Sequence, residues 1–185
     1  MKLYFNTNTN TLFIAETSTE AIELNSEEAF EAAFAKVYTG DLKHFKLLKE
    51  CYYKALNAFA EEGFKLTLKE ISTAAKLASK EAIAQSSTVP TVWEWSVITH
   101  ADYMTEYKDK FVLGVTIHEL AHSVQYENRN YGYSIHSMDE RGEDHGYEFR
   151  HIVNPIQFKF NLNGFEKAYV NAELYKKIKH HKKKK

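Results

Sequence analysis

The chain has one cysteine, Cys51, two prolines, Pro90 and Pro155, and only seven glycines among its 185 residues. A single thiol forms no internal disulfide, and it cannot build a zinc ribbon or finger on several thiolates. Scarce proline and glycine argue against long disordered linkers. No run of about 18 apolar residues is present to span a membrane. The opening "MKLYFNTNTNTLFIAE" lacks the uninterrupted apolar core of a signal peptide. These absences leave a reducing cytoplasm as the expected location, with no membrane as partner.

What is present describes an ordinary globular body. Hydrophobic residues make up 44% and charged residues 26%, and 12 Tyr with 12 Phe favour a well-packed interior. The length suits one domain with a sizeable core. The net charge of −1 conceals an asymmetry, because the last ten residues, "KKIKHHKKKK", hold seven lysines. Without them 17 basic residues face 25 acidic ones, so an acidic body near −8 carries a basic tail.

Along the chain, "KLYF" and "TLFIAE" flank the turn-prone "NTNTN", which predicts a hairpin. "NSEEAFEAAFAKVY" predicts a helix capped by Ser26, with acidic residues in its first turn. Asp41 is placed to cap a second helix through "LKHFKLLKECYYKALNAFAEE", stopped by Gly63. A third helix is expected in "TLKEISTAAKLASKEAIAQ", where Thr67 and Glu70 fit a capping box, with "SSTVP" breaking it. "TVWEWSVITH" is rich in β-formers and reads as a strand with Trp93, Trp95 and Val97 on one face. A helix from about Lys108 to Tyr126, a polar loop from Asn128 to Asp144 and a largely helical remainder complete the chain. Cys51 falls within the second helix and is read as structural.

The chemistry concentrates in "VTIHELAHSVQ", Val115 to Gln125, which contains the pattern H-E-x-x-H. At about 100° per residue, Leu113, Ile117, Leu120 and Val124 form one apolar stripe. His118 and His122 project from roughly the opposite side, which also carries Phe111 and Val115, with Gly114 and Ala121 at its edge. Thr116, Glu119 and Ser123 form a narrow polar strip between. The histidine face is therefore covered or lines a cleft, and imidazoles in such a place need a partner. A spacing of four brings both rings within reach of one tetrahedral zinc ion at about 2.0–2.1 Å. Glu119 points about 100° away from His118, which suits a general base acting on water acidified by the metal better than a third ligand. The plainer alternative is a helix whose two histidines bond to neighbours.

A catalytic zinc needs a third protein ligand and an open position. The longer pattern H-E-x-x-H-x-x-G-x-x-H fails, because Gln125 and Asn128 stand where its glycine and last histidine would be. Glu140, Glu143 or Glu148 could supply a carboxylate, and His136, His145 or His151 an imidazole.

The stretch "DHGYEFRHIV" resembles the SprT-like (Spartan-type) zinc metalloproteases, which pair H-E-x-x-H with a later H-G-x-x-F at the start of another helix. The resemblance covers about Thr91 to Pro155. It implies that His118, His122 and His145 hold Zn2+ and that Glu119 is the catalytic residue, while Gly146 and Phe149 match the structural remainder of the second motif. On physical grounds Gly146 permits a close backbone approach, and Phe149 can pack into the core one turn on. Asp144 reads as a helix cap or as a partner orienting a ligand. Trp93 and Trp95 read as core or as cleft lining, His136 and His151 as polar surface. Tyr133 and Tyr147 are candidate donors to an oxyanion.

The expected fold is α+β, a mainly helical zincin-like single domain with a small β-sheet and an H-E-x-x-H metal helix. Residues 1–90 supply an N-terminal hairpin and helical part, 91–175 the SprT-like core and 176–185 the lysine-rich tail. The expected function is zinc-dependent hydrolysis of peptide bonds in a protein or peptide substrate. The family's action on DNA-attached proteins, together with the tail, adds DNA as an expected partner. The alternatives are a non-catalytic zinc-stabilised binding module, a peptidase with a glutamate third ligand, and hydrolysis of a non-peptide bond at the same site.

Overall fold

The computed structural model describes residues 1–77, 82–88, 96–129 and 145–163. Trp93, Trp95, Tyr133, His136, Glu140, Glu143, Asp144 and the lysine-rich tail lie outside the described residues, as do the expectations placed on them.

The expected hairpin is formed by β1 (Lys2–Asn6) and β2 (Thr11–Ala15), antiparallel with Tyr4 opposite Phe13. Asn10, with φ of 51°, takes the left-handed conformation of the turn, which asparagine tolerates. β3 (Ile22–Glu23) adds to the outer side of β1. α1 (Glu27–Val37) starts where the sequence signals it, the Ser26 side chain accepting the Ala29 N–H. The Asp41 carboxylate caps a short 3-10 turn, Leu42–His44, which leads into α2 (Phe45–Glu61). Gly63 ends that helix at a φ of +80°, a conformation a side chain would strain.

The third helix expected between Thr67 and Gln85 does not form. In its place stand β4 (Leu66–Ala74) and β5 (Ala84–Thr88), so "SST" belongs to a strand. Thr67 and Glu70 lie within β4 and cap nothing. The cause of the misreading is visible in the ladder. Leu66 and Leu68 alternate inward as a strand requires, and the register then shifts between Leu68 and Glu70. The bulge makes Ile71 the next buried residue, three positions after Leu68, and that spacing imitates a helical stripe.

β6 (Ser96–Ala101) follows, pairing parallel with β4 and antiparallel with β5. Its buried residues are Ser96, Ile98, His100 and Ala101, whereas Val97, expected to share a face with Trp93 and Trp95, is half-buried. The described strands form one mixed sheet of six in the order β3-β1-β2-β4-β6-β5. The class is α+β as expected, with a larger sheet than the sequence suggested. A second 3-10 turn, Asp102–Glu106, leads to α3 (Asp109–Arg129), which ends three residues beyond the expected Tyr126 and takes in Asn128 from the expected loop, and α4 (Tyr147–Lys159) follows.

Leu3, Phe5, Leu12, Ile14, Leu68, Ile71 and Ile98 from the sheet share one core with α1 to α4. The core therefore spans both sides of residue 90. α3 runs through its centre, packed on β4, β5, β6, α2 and α4. Every residue from Phe111 to Gln125 is buried, including the polar strip of Thr116, Glu119 and Ser123. A helix buried all round presents its few polar side chains to the interior, where each needs a partner. Thr116 and Ser123 find theirs in the helix itself, donating to the carbonyls of Val112 and Glu119. No helix among the described residues is long and apolar enough to cross a membrane.

Candidate metal centre

Two helices bring three imidazoles together. His118 and His122 lie one turn apart on α3, and His145 lies two residues before the first turn of α4, whose N-cap position is Gly146. The three Nε2 atoms form a nearly equilateral triangle. His118 and His122 are 3.2 Å apart, His122 and His145 3.1 Å, and His145 and His118 3.0 Å. Three rings meeting nitrogen to nitrogen cannot all satisfy one another, because a neutral imidazole carries one N–H. Donors of a tetrahedral zinc ion at about 2.0–2.1 Å would stand about 3.3–3.4 Å apart, so the triangle fits such an ion. Among the described residues no other group of three such side chains converges in this way. Glu148 and His151 lie on α4 outside the triangle, and His151 is exposed.

The surroundings leave lone pairs available on the two α3 histidines. Burial, then the neighbouring His122 and His145, hold the His118 pKa well below its usual value. His122 donates its Nδ1–H to Gln125 Oε1 at 2.7 Å, leaving Nε2 as the unprotonated nitrogen. Gln125, noted in the sequence only for breaking a longer motif, thus orients a ring of the triangle. The available signal was its place three residues after His122, on the same helix face.

Phe149 supplies the apolar wall. Its ring centroid lies 4.8 Å from that of His118, 4.6 Å from His122 and 4.9 Å from His145. It is fully buried, so the expected contribution to the core is met by packing against all three imidazoles. Truncating it would cost roughly 3–5 kcal/mol in lost packing and cavity formation.

Glu119 is buried, 8% exposed, on the same helix. Burial pushes its pKa up to about 8, while the backbone N–H of Ser86 on β5 favours the charged form. A cation held by the adjacent histidines would favour that form further. Its carboxyl is therefore able to gain and lose a proton near neutral pH. Compared with known proteins, the chain matches no protein family, no curated sequence and no solved structure.

Proposed function

We propose that the protein is a zinc-dependent metallopeptidase of SprT-like, zincin type, with His118, His122 and His145 as metal ligands and Glu119 as general base. The observation that carries the reading is the triangle of three Nε2 atoms, two of them from the helix on which Glu119 is buried and the third from His145 before α4. When bound there, zinc supplies Lewis acidity, acidifying a water and polarising a carbonyl oxygen. Glu119 takes the proton as water adds to the amide carbon, then delivers it to the departing nitrogen as the C–N bond breaks. No covalent link to the chain forms. Gln125 fixes the His122 ring, and Phe149 keeps the inner side of the triangle dry.

The test is hydrolysis of fluorescein-labelled casein by zinc-loaded full-length protein beside its Glu119→Gln variant. Activity in the first and at least about a hundredfold less in the second supports the reading. Equal activity in both, in preparations freed of other proteases, contradicts it.

The resemblance extends the proposal to substrates attached to DNA, contacted through the lysines between Lys176 and Lys185. Such binding weakens with salt by a log–log slope near −0.9 per phosphate contact on duplex DNA. DNA titrations of the full chain and of a truncation after Tyr175 test it. Equal binding by the two, at any strength, removes the tail from the account.

A further inference from the structure

β5 is the terminal strand of the described sheet. In its antiparallel ladder with β6, Ser86 lies opposite Ile98 and Gln85 opposite Thr99. Ala101 donates its N–H to the Ile83 carbonyl at 2.7 Å, so the pair formed by those two residues is hydrogen-bonded. Bonded and non-bonded pairs alternate along such a ladder. Gln85 and Ser87 therefore bond to β6, while the N–H and C=O of Ser86 point away from it, out of the sheet edge. β5 lies against α3, which carries Glu119, and the Ser86 backbone N–H favours the charged form of that carboxylate. The Ser86 hydroxyl is buried with no hydrogen-bond partner among the described residues. Ser86 thus presents a backbone amide and a spare hydroxyl to the interior that holds Glu119.

We propose that Ser86 is a positioning residue for Glu119, its outward backbone N–H anchoring the carboxylate so that the base keeps one orientation beside the three histidines. A carboxylate has two oxygens with lone pairs to spare, so holding one by an amide leaves the other for water. A fixed donor on a strand loses no side-chain entropy in holding its partner, unlike a hydroxyl on a rotatable bond. The proposal rests on the peptidase reading for the purpose of the anchor, and on the strand register for the anchor itself.

The two are separable by experiment. In zinc-free full-length protein, amide hydrogen exchange at Ser86 should be about tenfold or more slower in wild type than in Glu119→Ala, the effect of losing a charge-assisted bond. Equal exchange in the two proteins overturns the anchor, whether or not the protein is a peptidase. Ser86→Pro removes the N–H without breaking a ladder bond, because proline is tolerated where an edge-strand N–H faces outward. Ser86→Ala keeps the N–H and removes the hydroxyl. With fluorescein-labelled casein and equal zinc content, Ser86→Pro should lose kcat about tenfold further than Ser86→Ala, with KM within about twofold. A raised KM with unchanged kcat would assign the amide to the substrate and overturn the proposal. A wild-type protein that leaves casein intact counts against the peptidase reading, and the exchange comparison still decides the role of Ser86.

Discussion

Two regions of the core bury histidines and treat them differently. His44, in the 3-10 turn before α2, and His100, on β6, have no exposure at all. Both nitrogens of His44 and Nδ1 of His100 are buried without a hydrogen-bond partner among the described residues, and His100 Nε2 shares a 3.0 Å hydrogen bond with the Tyr52 hydroxyl. Burial holds the pKa of both rings down, that of His100 to about 3. These rings are kept neutral as parts of a packed interior. His118, His122 and His145 also lie in or beside the core, but their nitrogens point at one another around a common centre. Burial alone makes an imidazole neutral. Convergence, with Gln125 fixing one ring from outside, is what suits the second group to hold a metal ion.

The largest effect that could break this contrast is on metal content. His145→Ala should leave a folded protein that loses its zinc on dialysis, while His100→Gln and His151→Ala retain about one zinc per chain by elemental analysis. A folded His100→Gln protein without zinc would erase the distinction between the regions. Glu119→Gln comes next: zinc and fold retained, hydrolysis of casein lower by at least about a hundredfold. A smaller change sharpens the role of the outer partner. Gln125→Ala should weaken zinc affinity about 10–100-fold in competition with a chelator, because the His122 ring loses its anchor. Unchanged affinity would show that convergence suffices without it.

The smallest expected effect belongs to the other region. His100 has a folded pKa of about 3 against an ordinary value of 6.5, so below pH 6.5 the unfolded chain binds a proton that the folded one refuses. Stability attributable to this ring is intact above pH 6.5 and falls by about 1.4 kcal/mol per pH unit from there towards pH 3. His100→Gln should flatten the loss of stability between pH 7 and 5 in urea titrations by up to about that slope. Identical slopes in the two proteins would mean that the ring charges freely in the fold.

Local signals carried much of this arrangement in the sequence. Ser26, Asp41 and Gly63 mark helix ends through their own chemistry, and the structure places boundaries at each. The covered face of α3 followed from its periodicity, and "DHGYEF" directed attention to His145, which the structure brings to His118 and His122. What failed depended on pairing at a distance. The bulge at Leu68 and Glu70 exists because β4 lies between β2 and β6, and no propensity within the segment encodes those neighbours. Its alanines and the Thr67 and Glu70 pair favoured a helix locally, and tertiary pairing prevailed. Ser86 was missed for the same reason: its meaning lies in which way its N–H faces, and the register with β6 decides that. Gln125 and Phe149 were legible as neighbours of the motifs, but their contacts with the rings required the packing of α4 on α3.

Zinc-edge X-ray absorption of the full-length protein loaded with one equivalent of zinc separates a three-histidine site from one with a glutamate ligand. Three imidazole nitrogens at about 2.0–2.1 Å and a fourth light-atom ligand are expected, with one imidazole lost in His145→Ala. Two imidazoles with a carboxylate in the wild type, unchanged in His145→Ala, would contradict the three-histidine site.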